Sequence, residues 1–144
     1  MKIKFQKYQG TGNDFIIINN NRLSFPNKNK DLIRCLCDRK FGIGSDGLIL
    51  INPSEKTDFE MIYFNSDGNL GSMCGNGARC SVKFAKYHNL ICDNTLFNAY
   101  DGNHNATINK DLITLSMKSV DKIKTFNNDL FLDTGSPHYI RFVE

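Results

Sequence analysis

Apolar and polar positions along the chain fall into short runs whose period changes several times. Ile3 to Tyr8 alternates, which predicts a strand. Gln9-Gly10-Thr11-Gly12-Asn13-Asp14 interrupts it, and Phe15 to Ile18 is then continuously apolar, a second strand. From about Lys28 to Lys40 the period is helical: Leu32, Ile33, Leu36 and Cys37 share a face, and Asn27 or Asn29 is placed to cap the start. The glycine-rich loop Gly42-Ile43-Gly44-Ser45-Asp46-Gly47 leads into a strand over Leu48 to Ile51. Phe59 to Phe64 predicts another strand, closed by the turn Asn65-Ser66-Asp67-Gly68. A second helix is expected from Ala78 to about His88, where Ala78, Val82, Phe84 and Ala85 suit a largely buried element. From Thr95 onward come short strands, such as Leu112 to Met117, with turns at Asp101-Gly102-Asn103, Asn109-Lys110-Asp111 and Asn127-Asn128-Asp129. Leu132 to Glu144 reads as a strand, a loop and a strand that breaks off, the pattern of a fragment. Strand-rich text with two intervening helices predicts an α+β fold rather than a parallel sheet built of βαβ units.

Composition narrows the classes. The 144 residues suffice for one domain with a core, or for one domain and part of a second. Hydrophobic residues at 40% and charged residues at 23% are ordinary for a globular protein. The net charge of +3 comes from 18 basic and 15 acidic residues spread along the chain, which argues against a nucleic-acid binder. No apolar run approaches the ~20 residues that span a bilayer, so no membrane partner is expected. The N-terminus lacks a secretory signal pattern. The expected location is the cytoplasm, and the sequon at Asn105 is expected to stay unglycosylated.

Five cysteines, Cys35, Cys37, Cys74, Cys80 and Cys92, form no CxxC pair and show no zinc spacing. They are expected to be free thiols, with no metal site. Cys74 stands apart because it precedes Gly75-Asn76-Gly77 at the start of a predicted helix. Glycines let the backbone approach a ligand, first-turn N–H groups point outward, and the helix dipole favours negative charge there. That setting is expected to lower a thiol pKa from ~8.5. The same N–H groups suit a carboxylate, so one loop supplies a base and an anion cradle, as proton removal α to a carboxylate requires. The bland alternative is that Cys74 is a small buried hydrophobe, and for the other four cysteines that reading prevails.

The loop from Gly42 to Gly47 matches G-x-G-x-x-G but follows a helix and precedes a strand. That is the reverse of the dinucleotide fingerprint, so no nucleotide cofactor is expected. Among the histidines, His88 is expected to meet a helix end and His104 to be solvated beside a turn. His138, after Ser136-Pro137, is the one functional candidate. Asn13, Asn65 and Asn76 each sit in a glycine-containing break. Each alone reads as a turn residue, but together they are candidates to converge at one end of a sheet and hold a zwitterion.

These residues, in order, resemble the motifs of the diaminopimelate epimerase family. The resemblance lies in Gly12-Asn13-Asp14-Phe15, Phe41-Gly42-Ile43-Gly44, Phe64-Asn65-Ser66-Asp67-Gly68, Cys74-Gly75-Asn76-Gly77-Ala78-Arg79-Cys80 and Gly135-Ser136-Pro137-His138. It implies two similar domains, each with antiparallel sheet wrapped around a central helix, and an active site between them. Residues 1–118 would form the first domain and residues 119–144 the start of an incomplete second. It further implies interconversion of LL- and meso-2,6-diaminopimelate by two thiols without pyridoxal phosphate, any other cofactor or metal, on the route to lysine and peptidoglycan. The working form would be a cytoplasmic homodimer. By position Cys74 matches the first catalytic thiol, and Asn13, Asn65, Gly75 and Asn76 match substrate-binding residues. His138 matches a position that tunes the thiols. Gly47 stands where some members carry a substrate-contacting glutamine, and Ser136 replaces an asparagine yet keeps a hydroxyl for the substrate. The second thiol belongs to a half beyond these residues.

A related racemase or epimerase with another amino-acid substrate stays open from the residues alone. So do a thioester-forming acyl-transfer enzyme using Cys74 with His138, and a non-catalytic binding domain that keeps the anion cradle.

Overall fold

The two continuously apolar runs lie side by side in the middle of a sheet. In the computed structural model, which describes residues 2–143, β2 (Asn13–Asn19) and β3 (Gly47–Asn52) pair in parallel, with Phe15 opposite Gly47 and Ile18 opposite Leu50. Alternate strand residues point to opposite faces, so an unbroken apolar run suits a strand covered on both sides. Phe15, Ile17, Ile49 and Ile51 enter one core, while Ile16, Ile18, Leu48 and Leu50 enter another.

The second core is closed by α1 (Lys30–Cys37) through Ile33 and Cys37. Asn29 caps this helix by accepting the Leu32 N–H at 3.0 Å. The helix is shorter than the predicted span. Asp38 turns extended and its carboxylate accepts the N–H groups of Lys40 and Phe41, which ends the helical ladder at Cys37.

The first core surrounds α2 (Gly75–Tyr87). Strands β1 (Gln6–Gly10), β2, β3, β4 (Phe59–Asn65), β5 (Asn94–Ala99), β6 (Gly102–Asn109) and β7 (Leu112–Leu115) follow one another across a single sheet in chain order. α2 packs against β1 at one edge and β7 at the other, and against β2, β3 and β4 between them, so the sheet curls around the helix. Val82, Phe84 and Ala85 are buried there, and Phe59 and Phe97 stack with centroids 5.0 Å apart. Full burial of a valine or phenylalanine side chain contributes about 1.5–3 kcal/mol.

The α+β class is observed, with a difference in the sheet. It is mixed rather than antiparallel, because β2–β3 and β4–β5 pair in parallel. α1 bridges the first parallel pair and α2 the second, so two βαβ crossovers are embedded in the fold. A parallel step needs a long crossover, and the two helical segments are the long connections of this chain.

A separate antiparallel sheet of β8 (Lys124–Phe126), β9 (Asp129–Asp133) and β10 (Pro137–Ile140) follows. Its β9–β10 turn reaches the first sheet's loop, where Met73 N–H donates to Gly135 O at 3.3 Å. Of the expected terminal strand-loop-strand, Glu144 lies outside the described residues. Among the described residues no helix is long and apolar enough to cross a membrane.

Candidate active site

Helix α2 begins three residues earlier than its apolar period predicts, because Cys74 itself is the cap. Its Sγ accepts the Gly77 N–H at 3.4 Å while its carbonyl accepts the Ala78 N–H at 2.8 Å. A Cβ on Gly77 would stand 3.1 Å from Ile49 Cδ1, so glycine lets this first turn press against β3. The sulfur is half-buried, at the positive end of a thirteen-residue helix.

Three of the sequence candidates meet here. Cys74 Sγ lies 3.7 Å from Asn13 Oδ1, and Asn76 Nδ2 lies 3.5 Å from the same oxygen. Gly75 forms the first turn beside them, with its carbonyl accepting from Arg79 at 3.1 Å. Asn65 ends β4 opposite Gly47, and Gly47 pairs with Phe15, so Asn13, Gly47 and Asn65 stand at the same end of three adjacent strands. Ser136 is farther along the rim: its Oγ bonds Ser72 Oγ at 2.5 Å, two residues before Cys74. His138 makes no hydrogen bond to the thiol among the described residues. It is exposed, with Nε2 3.0 Å from Thr134 Oγ1.

Behind Asn13 stands an ionic cluster that the sequence reading missed. Asp14 pairs with Lys7 at 2.8 Å and Arg39 at 2.7 Å, and Arg39 also pairs with Asp46 at 2.7 Å. Asp46 accepts Asn13 Nδ2 at 2.9 Å and the Asp14 N–H at 3.0 Å. The Arg39 guanidinium holds the Asp14 carboxyl far below the usual carboxylate range. The Asn13 amide and the Asp14 N–H hold Asp46 below that range too. Arg39 is 59% exposed and Asp46 42%, so the pair between them adds little stability in water and its consequence is orientation, whereas Asp14 is the sheltered member of the cluster at 18%. Asp14 lies in the break before the apolar run and Asp46 in the glycine-rich loop, and the pattern of neither segment singles out its carboxylate.

Tyr63 is the other missed residue. Its ring packs edge-on to Phe15 at 5.9 Å, and burial, helped by the negative charge available to Cys74, pushes its hydroxyl up to about 12. The ring also accounts for Gly47, since a Cβ there would collide with Tyr63 and with the Phe64 carbonyl. A glutamine cannot stand at that point without moving Tyr63.

The remaining thiols take no part in the cap. Burial raises Cys37, which sits against Ser45, and pushes Cys80 up to about 11, while Cys35 and Cys92 are exposed. His88 caps the far end of α2, bonded to Gln6 at 3.2 Å. A cavity of about 850 Å³ opens there, lined by Phe84, His88 and Arg22, roughly 20 Å along the helix from Cys74. The expectation of a solvated His104 is corrected. Its ring is 3% exposed, bonded to Ser116 O at 2.9 Å and Asp101 Oδ1 at 2.8 Å, and stacked on Phe97. Because β6 points alternate side chains inward, a polar residue beside the turn is carried into the core.

A curled sheet around a helix is a fold shared with known structures. The chain superposes on a PhzF-family phenazine biosynthesis protein of Bacillus anthracis with a TM-score of 0.67 at 14% identity, over 95% of this chain and 53% of that one. It superposes on a probable proline racemase of Agrobacterium radiobacter with a TM-score of 0.61 at 12% identity, over 91% of this chain and 49% of that one. The sequence is more specific: residues 5–123 match the model of diaminopimelate epimerase, and the chain belongs to that family. It is 55% identical to the diaminopimelate epimerase of Flavobacterium psychrophilum over 99% of this chain and 56% of that protein. Against the Chlorobaculum tepidum enzyme of the same name it is 39% identical, over 93% of this chain and 55% of that protein. The chain thus spans about half the length of the curated relatives it matches.

Proposed function

We propose that this chain is the first half of a cofactor-independent diaminopimelate epimerase, an isomerase of lysine and peptidoglycan precursor synthesis in the cytoplasm. Cys74 is one of its two proton-transferring thiols. The observation that carries this reading is the half-buried Cys74 sulfur capping α2, with Asn13 and Asn76 beside it. An amino acid seated at the strand ends places its carboxylate on the first-turn N–H groups and its Cα hydrogen against Sγ. As the proton passes to sulfur, the electron pair left on Cα spreads into the carboxylate, where the helix terminus stabilises it. Asn13, Asn65 and Asn76 orient the zwitterion, and the Ser136 hydroxyl completes the rim. His138 is assigned no proton in this reading.

Inversion requires an acid on the opposite face of Cα. The opposing thiol is assigned to the part of the family's length that these residues do not span, with residues 119–144 opening the second domain and the complete enzyme acting as a homodimer. The 144 residues alone therefore exchange a proton without epimerising.

The test is protection from alkylation, read peptide by peptide. LL- or meso-diaminopimelate is expected to slow iodoacetamide modification of Cys74 and to leave the exposed Cys35 and Cys92 unchanged. Equal modification of Cys74 with and without either isomer overturns the assignment of the substrate.

A further inference from the structure

Asn13 has a donor end and an acceptor end, and its neighbours distinguish them. Asp46 as a carboxylate only accepts: Oδ2 takes the Asp14 N–H at 3.0 Å and Oδ1 takes Arg39 at 2.7 Å. The end of Asn13 facing it at 2.9 Å is therefore Nδ2. The carbonyl oxygen is turned the other way, toward Cys74 Sγ at 3.7 Å and the Asn76 amide at 3.5 Å. The reversed amide would press oxygen on carboxylate and set two NH₂ groups against each other.

We infer that Asp46 is a positioning residue for the proton of Cys74: it holds the Asn13 carbonyl oxygen against the sulfur, and Arg39 and Asp14 hold Asp46 in place. The inference rests on Cys74 exchanging a proton with substrate. Sγ then sits between an acceptor and a donor. The thiol donates to Asn13 Oδ1, and the thiolate accepts the Gly77 N–H at 3.4 Å. A group that takes a proton in one direction and returns it in the other needs both forms supported. Asp46 sets the acceptor half of that balance without touching substrate.

The charged groups around Asn13 and the cap include Lys7 from β1, Asp14 from β2, Arg39 after α1, Asp46 before β3 and Arg79 of α2, whose guanidinium donates to the Gly75 carbonyl at 3.1 Å. Tyr63 from β4 and Cys80 from α2 also face the sulfur, but burial pushes them up to about 12 and about 11, so both stay neutral at ordinary pH.

The experiment is the pH profile of Cys74 alkylation in the 144-residue chain, again by peptide. Asp46→Asn frees the Asn13 amide to turn its NH₂ toward sulfur. The profile is expected to move to lower pH, with a rate at neutral pH about fivefold higher, the worth of one hydrogen bond. The substitution also removes a charge, so the same change is made in Asn13→Ala. There, with the oxygen gone, it is expected to alter the rate by less than about twofold. An unmoved profile in Asp46→Asn, or an equal gain in the Asn13→Ala background, overturns the inference. Should Asp46→Asn not fold by circular dichroism, Asn13→Ala alone decides, since losing the oxygen must raise the neutral rate and an unchanged profile refutes the proposal. These readings need no substrate, so they fail or succeed independently of the protection assay.

Discussion

Gly77 N–H donates to Cys74 Sγ at 3.4 Å, so the sulfur fills the place that a serine or aspartate oxygen takes at most helix starts. The group assigned to proton transfer is thereby also a structural cap, and the two roles can be separated. Cys74→Ser keeps an acceptor at the cap, and its urea midpoint should match the parent to within about 0.5 kcal/mol. Cys74→Ala removes the acceptor and should cost about 1 kcal/mol. Equal stability of the two variants would show that the sulfur does no capping.

The Asp14 cluster sets an acid limit on stability. Its carboxyl titrates below its unfolded value of about 3.9, so the stabilisation is complete above that value and is lost as the pH falls toward the folded one. Urea midpoints should hold between about pH 7 and pH 5 and fall below about pH 4, where Asp38, Asp46 and Asp67, also lowered, add to the loss. Asp14→Asn should begin less stable and fall less steeply. Parallel curves would remove Asp14 from the account.

Gly47 has no room for a side chain beside Tyr63. Gly47→Gln, which supplies the side chain some family members carry, should destabilise the chain by about 1–3 kcal/mol through overpacking. Tyr63→Ala in the same chain should recover part of that loss, and additive losses in the double variant would contradict the steric explanation.

His104 and Asp101 form a buried pair beneath the β9–β10 turn, where Asp101 Oδ2 lies against Gly135 with no hydrogen-bond partner among the described residues. Nδ1 of His104 carries a proton, because the Ser116 carbonyl can only accept. His104→Ala leaves the carboxyl buried without a donor and should cost about 3 kcal/mol or more in chemical unfolding. A loss under about 1 kcal/mol would mean that water or a moved loop takes the ring's place.

The parts of this molecule legible in its sequence are those set by local periodicity. Phe15 to Ile18 and Leu48 to Ile51 announce strands covered on both faces, and Asn29 announces a helix start. The start of α2 was misread because Gly75-Asn76-Gly77 has poor helix propensity, yet the Cys74 cap and the packing of Gly77 on Ile49 draw those residues into the helix. The parallel pairing of β2 with β3 depends on where the chain returns after α1, which no period records. At the site, the cysteine and the asparagines were visible as special residues in glycine-rich breaks. Arg39, Asp46 and Tyr63 were not, because their roles come from neighbours distant in sequence: Arg39 meets Asp14 and Tyr63 meets Phe15. His104 was misplaced by weighing its turn above the inward phase of β6.

The central claim is that the Cys74 sulfur takes the α-hydrogen of a bound amino acid. It is tested most directly by incubating the chain with LL- and with meso-diaminopimelate in D₂O and following deuterium at Cα together with configuration. Deuterium is expected to enter with configuration retained, and Cys74→Ser, folded and capped, is expected to abolish the uptake. Uptake that survives in Cys74→Ser, no uptake from either isomer, or inversion by these 144 residues alone would contradict the claim.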